Sequence, residues 1–358
     1  MHPAFPSVTF SNHWTLATGL HPESHGIVAN KFYDPVLKKD FSIEDDDSRW
    51  WHGEPIWMTA QRQEKESAVI MWPGSMISGL KPKRVIDFND TVSPHDKFDQ
   101  TLQWIDLPRE ERPNLIGVYI QQTDENGHRH GPTSQDIDKT IADMDDAIGY
   151  LLKGLDDRNL LGRIHVVIVS DHGMAETDRS RVIYYDDILS STSRSWLRER
   201  EADPLLGLRP KDNAPKHAIQ QIYQEFYNFT QSHPDPHFQV YLKEDVPARL
   251  HYSNNERIAP IVAIPDVGYV MVDHDRFDPK SATEQFSPIG IHGYDNLAVE
   301  MRSIFMAHGP AVDMMYGRRA VLAPFYNTEV YSFVCELLNI DANPAHNGTM
   351  EGQFVRIR

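Results

Sequence analysis

The chain has 358 residues, 40% hydrophobic and 24% charged, the balance of a globular protein rather than a disordered one. Its formal charge of −17, from 35 basic and 52 acidic residues, argues against sequence-independent binding to nucleic-acid backbones. Any phosphate chemistry here needs local positive charge, which bound cations can supply. Cys335 is the lone cysteine, so no internal disulfide forms, and no run of about 18 apolar residues is present to span a membrane.

The first residues, Met1-His-Pro-Ala-Phe-Pro6, lack the charged and apolar regions of a signal peptide. The segment Thr9-Phe10-Ser11-Asn12-His13-Trp14-Thr15 then leads into an apolar helical stretch that stops at Gly19. Ser11 or Asn12 is the expected N-cap, which puts Thr9 just before a helix start, where free N–H groups and the helix dipole favour an anion. Strands are predicted at 68–71, 115–120, 164–169, 269–272 and 304–307, and helices at 94–105, 134–157, 216–230 and 328–338. Over 134–157, Ile137, Ile141, Met144, Ile148, Leu151 and Leu155 recur at spacings of three and four, giving one stripe to pack on a sheet. The stretch 190–215, rich in charge and proline, reads as a long surface loop or insertion, and 238–252 as strands outside the main alternation, in a subdomain over the sheet. The alternation argues for an α/β layered fold with a mainly parallel sheet. The expected organisation is one catalytic domain over 1–358 with an insertion around 190–260. Asn89, Asn228 and Asn347 head Asn-x-Ser/Thr triplets, which become glycosylation sites only in the secretory pathway.

Four clusters sit next to predicted element boundaries: the Thr9 segment, Thr123-Asp124-Glu125-Asn126-Gly127-His128, Ser170-Asp171-His172-Gly173-Met174, and Gly290-Ile291-His292-Gly293-Tyr294-Asp295-Asn296. Alone, each could be a cap or a turn. The second and third, however, directly follow strands, at the carboxyl edge where open α/β sheets collect their ligands. His and Asp together suit zinc, and the flanking glycines let the backbone turn and bring ligands close. Spacing alone therefore points to a metal-assisted hydrolase.

Beyond spacing, Phe5 to Pro35 resembles, almost residue for residue, the nucleophile segment of the nucleotide pyrophosphatase/phosphodiesterases of the alkaline phosphatase superfamily. The likeness continues through Gly53-Glu-Pro-Ile-Trp57, Trp72-Pro-Gly-Ser75, the Asp124/His128 and Asp171/His172 clusters, Gly293-Tyr-Asp-Asn296 and Asn347-Gly-Thr349, and so covers nearly the whole chain. Trp14 and Leu16-Ala17 look like fungal members. The resemblance implies an alkaline-phosphatase-like fold and two Zn(2+) ions. Asp124, His128 and His292 would hold one; Asp171, His172 and the Thr9 hydroxyl would hold the other, together with an aspartate on the family's first strand. Thr9 would be the nucleophile of a threonyl-nucleotide intermediate, opened by water to release a nucleoside monophosphate. Asn30 would stabilise a phosphate oxygen, Phe10 would pack on the base, and Trp72 is placed in the same pocket. It also implies a secretory-pathway enzyme, extracellular or membrane-anchored, acting on nucleotides or other small phosphodiesters.

The chain departs from that pattern in places. The family's first ligand aspartate stands in an Asp-Gly-Phe-Arg turn some tens of residues before the nucleophile. Only residues 1–8 precede Thr9, and none is Asp or Glu. The expectation is an N-terminally incomplete domain that lacks the first strand and any anchor before it, leaving one metal shell short and two strand edges open. Ser11 replaces a proline, Gln121-Gln-Thr123 stands where Glu-Glu-Pro is common, and Met76 replaces an aspartate; these touch fine specificity. Two further readings remain at this level: a phosphodiesterase for lipid or choline substrates, and an inactive homologue. Phosphate monoesterases of the superfamily use Ser as nucleophile, and sulfatases need Cys or Ser before Pro-x-Arg, which Thr9 does not provide.

Overall fold

A computed structural model describes residues 1–277 and 286–357 of the chain. Helix α1 (Thr9–Thr18) begins about one turn earlier than its sequence suggests, with Val8 as N-cap and no side-chain cap at all. The two expected caps are spent on tertiary contacts instead. Ser11 Oγ donates to Ile27 O at 2.7 Å, while Asn12 accepts from Ala4 N and donates to Pro6 O and Val8 O. Asn12 thus folds residues 4–8 back against the helix, and Thr9 becomes the first helical residue. Gly19, at φ 68, ends α1, and the short α2 (Pro22–His25) packs back on it. Around α1 sits the main core, where Phe5, Trp14, Trp50 and Trp57 are almost completely buried. Burying each such ring contributes roughly 1.5–3 kcal/mol.

A parallel unit follows. β1 (Ser67–Ile70), β2 (Arg84–Ile86), α3 (Pro94–Ile105) and β3 (Leu115–Val118) form a sheet in the order β2-β1-β3, with Val69 opposite both Val85 and Gly117. α4 (Gln122–His130) leaves the carboxyl end of β3, and α5 (Gln135–Asp157) follows, capped by Ser134 Oγ accepting from Ile137 N. β4 (Val166–Val169) then delivers the next cluster. Over 190–215 the structure corrects the surface-loop expectation. The stretch holds a helix at Ser191–Trp196 and the strand β5 (Leu206–Leu208), with Leu205, Leu206 and Leu208 buried. A short apolar run, Leu205-Leu-Gly-Leu208, was hidden in the window by the charges around it. α6 (Ala218–Ser232), β6 (Phe238–Leu242) and β7 (Ile261–Pro265) complete an antiparallel sheet, β6-β7-β5, packed on Ile222 and Phe226 of α6. β8 (Phe305–His308) pairs antiparallel with β4, and α7 (Glu329–Leu338) packs on α1.

β3 and β4 both help build one apolar cluster, Ile116 and Val166 lying against Leu102, Ile105 and Leu155. Yet among the described residues no ladder joins them, so each keeps one unpaired edge. The residues of both strands are only half-buried. Ile141, in the middle of the α5 stripe, is 54% exposed, and Ile304 and Met306 beside β4 are each 52% exposed.

His25 fastens α1 to α2. Its Nδ1 accepts from Ile27 N at 3.1 Å, and its Nε2–H donates to Ser11 O at 3.1 Å, which fixes the neutral tautomer. Burial pushes its pKa from 6.5 down to about 3. An unfolded chain therefore takes up the proton first as the pH falls. The stability contributed by the neutral ring is complete above pH 6.5 and is lost as the pH drops toward 3. The slope is at most about 1.4 kcal/mol per pH unit. The thermal midpoint is expected to fall between about pH 7 and about pH 5, and His25→Gln to flatten that dependence; an unchanged slope in the variant refutes the assignment.

Candidate active site and metal centre

Four segments converge, each for a local reason. Thr9 stands at the first position of α1. Asp124 and His128 are four residues apart on α4 and so share one helix face. Asp171 and His172 come directly off the carboxyl end of β4, where Gly173 is required: a Cβ there would lie 2.0 Å from Glu300 O. His292 follows the short strand Gly290–Ile291, and a Cβ on Gly290 would lie 2.2 Å from Gly127 O. That close approach brings His292 against α4.

Three imidazoles are aimed by the main chain. His128 Nδ1–H donates to Gly290 O at 2.7 Å, His172 Nδ1–H to Gly173 O at 2.8 Å, and His292 Nδ1–H to Ser7 O at 2.9 Å. Each ring therefore turns its Nε2 lone pair inward, the tautomer and orientation of metal-ligating histidines. His128 Nε2 and His292 Nε2 face each other at 3.1 Å, and lie 3.5 and 3.4 Å from Asp124 Oδ1. His172 Nε2 lies 3.0 Å from Asp171 Oδ2, 3.3 Å from Thr9 Oγ1 and 3.9 Å from Asp124 Oδ1. The His172 and His292 rings stack with centroids 3.4 Å apart.

The electrostatics follow from this crowding. Burial pushes the Asp171 carboxyl up, but His172 and His13 outweigh it and hold it well below the usual carboxylate range. Asp124 behaves likewise, with His292 as the main opposing partner. Burial pulls His172 down, yet Asp171 more than reverses that, whereas His292 is lowered by burial and by His172. The buried Asp124 Oδ1 and Asp171 Oδ2 have no hydrogen-bond partner of good geometry, although charged groups stand near both. Buried carboxylate oxygens of this kind, opposite imidazole lone pairs, form a donor set for a divalent cation. Asp124, His128 and His292 offer ligand atoms that all lie within 4.8 Å of one another. A second group, Asp186, Asp187 and His274, is more exposed, and there Asp186 is already engaged by His274 Nδ1 at 3.0 Å.

Asn30 Oδ1 accepts from Phe10 N at 3.1 Å, which commits its oxygen and leaves Nδ2 as a free donor beside Thr9. The Phe10 ring is backed by Phe41 and Trp51, at 6.5 and 6.3 Å between centroids. Trp72 packs against the same apolar cluster as Phe10, and its indole N–H donates to His13 O at 3.1 Å while its ring meets the His13 edge, so it also braces α1 from the side. Sequence reasoning passed over His13. Its Nδ1 lies 2.9 Å from Thr9 O and 3.2 Å from Asp171 Oδ2. The signal was the spacing Thr9-x-x-x-His13, one helical turn.

Comparison with known proteins gives the family. A family model described as type I phosphodiesterase / nucleotide pyrophosphatase matches residues 1–295. An uncharacterized pyrophosphatase/phosphodiesterase of Schizosaccharomyces pombe is 41% identical over 359 residues, covering 98% of this chain and 72% of the relative. Ectonucleotide pyrophosphatase/phosphodiesterase family member 3 of Mus musculus is 35% identical over 98% of the chain, which spans only 39% of that relative's length. Among solved structures, murine ectonucleotide pyrophosphatase / phosphodiesterase 5 matches with a TM-score of 0.83 at 33% identity, covering 98% of this chain and 89% of that one. An inactive threonine-to-alanine variant of that murine protein, in complex with AMP, matches at 0.81 with 32% identity, covering 98% and 88%. With the fold, the clustered donors and the relatives in agreement, the chain belongs to the type I phosphodiesterase / nucleotide pyrophosphatase family of hydrolases and has its α/β, alkaline-phosphatase-like architecture.

Proposed function

We propose that this chain hydrolyses nucleotide pyrophosphate and phosphodiester bonds with Thr9 as nucleophile. The observation that carries the reading is the Thr9 hydroxyl at the N-terminus of α1, 3.3 Å from His172 Nε2, at the edge of the Asp/His cluster. Asp124, His128 and His292 would hold one zinc ion, and Asp171, His172 and Thr9 a second. When bound, such ions supply Lewis-acid charge that lowers the hydroxyl pKa and offsets the phosphate's charge in a protein of net −17.

Thr9 Oγ1 attacks phosphorus in line with the leaving group. The bond to pyrophosphate or alkoxide breaks as the threonyl ester forms. Water then opens that ester, releasing a nucleoside monophosphate and restoring the hydroxyl. With Phe10 N held by Asn30 Oδ1, the remaining N–H groups opening α1 and the Asn30 Nδ2 donor would face the oxygens whose charge grows during attack. Phe10, backed by Phe41 and Trp51, offers a face for the base. The AMP complex of the murine relative supports a nucleotide ligand.

Relatives named as ectonucleotide enzymes and as a venom phosphodiesterase of Crotalus adamanteus support a secretory-pathway location. Asn89, Asn228 and Asn347 all lie exposed, as glycan acceptors there must. Among the described residues no helix is long and apolar enough to cross a membrane. A second reading, nucleotide binding without turnover, is favoured by one observation: among the described residues the second donor set beside Thr9 has a single carboxylate, Asp171.

Turnover decides between the two. Thr9→Ala is expected to cut hydrolysis of p-nitrophenyl-TMP by on the order of a thousandfold or more; an activity that survives the change sinks the nucleophile assignment. Asn30→Ala should lower kcat by about 10²–10³-fold with little effect on KM. Phe10→Ala should raise KM for p-nitrophenyl-TMP but not for p-nitrophenylphosphorylcholine, and equal losses on both would remove the base-binding role. Zinc at about a hundred times its Kd should stabilise the protein by about 2.7 kcal/mol in thermal unfolding. Asp124→Ala combined with His292→Ala should remove most of that gain, and a gain left intact places the metal elsewhere.

A further inference from the structure

We infer that Lys97, on α3, is a positioning residue for the metal centre: its buried amine ties the end of β3 to the start of α4 and so sets where Asp124 and His128 stand. The inference rests on reading those two residues as ligands.

Lys97 is 1% exposed and, among the described residues, the one charged residue of the largest side chains the fold buries completely; the others include Trp14, Trp50 and Phe5. Its Nζ donates to Tyr119 O at 3.1 Å and to Gln121 Oε1 at 2.8 Å. Tyr119 continues the β3 ladder, its N–H donating to Ile70 O at 3.0 Å. Gln121, 2% exposed, is the N-cap residue of α4, and its carbonyl accepts from Glu125 N at 3.1 Å. The amine therefore clamps both ends of a three-residue connection, 119–121. Beyond that connection α4 is a rigid rod that carries Asp124 in its first turn and His128 one turn later. A tilt at its root moves both ligands together.

The alternative, that Lys97 merely fills space, sits badly with the chemistry. An ammonium buried without a carboxylate in its hydrogen-bond shell costs several kcal/mol, and a Met or Leu would fill the same volume without that penalty. Burial does push its pKa down to about 8, against the opposing pull of Glu125. A positive charge near a cation site also works against metal affinity. What an apolar side chain cannot supply is two N–H donors to Tyr119 O and Gln121 Oε1, which would otherwise be buried without that partner.

The test is zinc affinity of the full chain, measured by competition with a chromophoric chelator, with the unfolding midpoint of the metal-free protein taken alongside. Lys97→Met is expected to weaken one of two zinc dissociation constants by roughly tenfold or more and to leave the other within about twofold. Lys97→Arg, which keeps the donors, should stay within about threefold of the parent. Gln121→Leu, which removes one acceptor but keeps the lysine, should reproduce the same selective weakening and decides the matter should Lys97→Met not fold. Lower unfolding midpoints in Lys97→Met and Gln121→Leu with both zinc constants unchanged would overturn the inference and leave the proposed function standing. A parent protein that binds no zinc overturns both.

Discussion

The constraint on which the site depends is the aim of three imidazoles. His128, His172 and His292 each spend Nδ1–H on a main-chain carbonyl, from Gly290, Gly173 and Ser7. In the neutral rings this leaves electron pairs pointing at one another, 3.1 Å apart for His128 and His292, with buried carboxylate oxygens alongside. Such an arrangement is repulsive on its own terms and becomes favourable only around positive charge. The surrounding fold exists in that geometry because its backbone is held elsewhere. Residues 4–8 are pinned by Asn12, the loop after β4 by Gly173 against Glu300 O, and the His292 turn by Gly290 against Gly127 O.

Much of this was legible from residue order. The helices over 94–105 and 134–157 and the strands near 115 and 166 follow from periodicity, because each is decided within its own window. Helix α4, which puts Asp124 and His128 on one face, was not among the predicted helices, because Gln122–His130 carries no apolar stripe to mark it. What failed were features fixed by distant partners. Ser11 and Asn12 read as caps, but Ile27 O and the folded-back segment outbid the helix for their side chains. Leu205 to Leu208 read as loop because strand character there comes from pairing with Ile261 to Ala263. His13 drew no notice because its partner, Asp171, lies far along the chain.

Gln121, one of the departures from the pattern that the resemblance implies, also gains a physical setting. Gln121 lies inside the protein, facing an amine rather than solvent, and its own amide reaches Asp90 O at 3.4 Å. A neutral side chain at that point keeps negative charge concentrated on Asp124 and Glu125. The local balance around α4 is therefore a matter of which oxygens carry charge, not of how many acidic residues the segment contains.

The unjoined rims of β3 and β4 have a consequence for handling as well as for architecture. Amide groups along a bare rim, flanked by uncovered Ile141, Ile304 and Met306, present a template on which extended polypeptide from another molecule can lie. Pairing of extended polypeptide along such rims is the route by which strand edges drive association, and the chain's net charge of −17 opposes it.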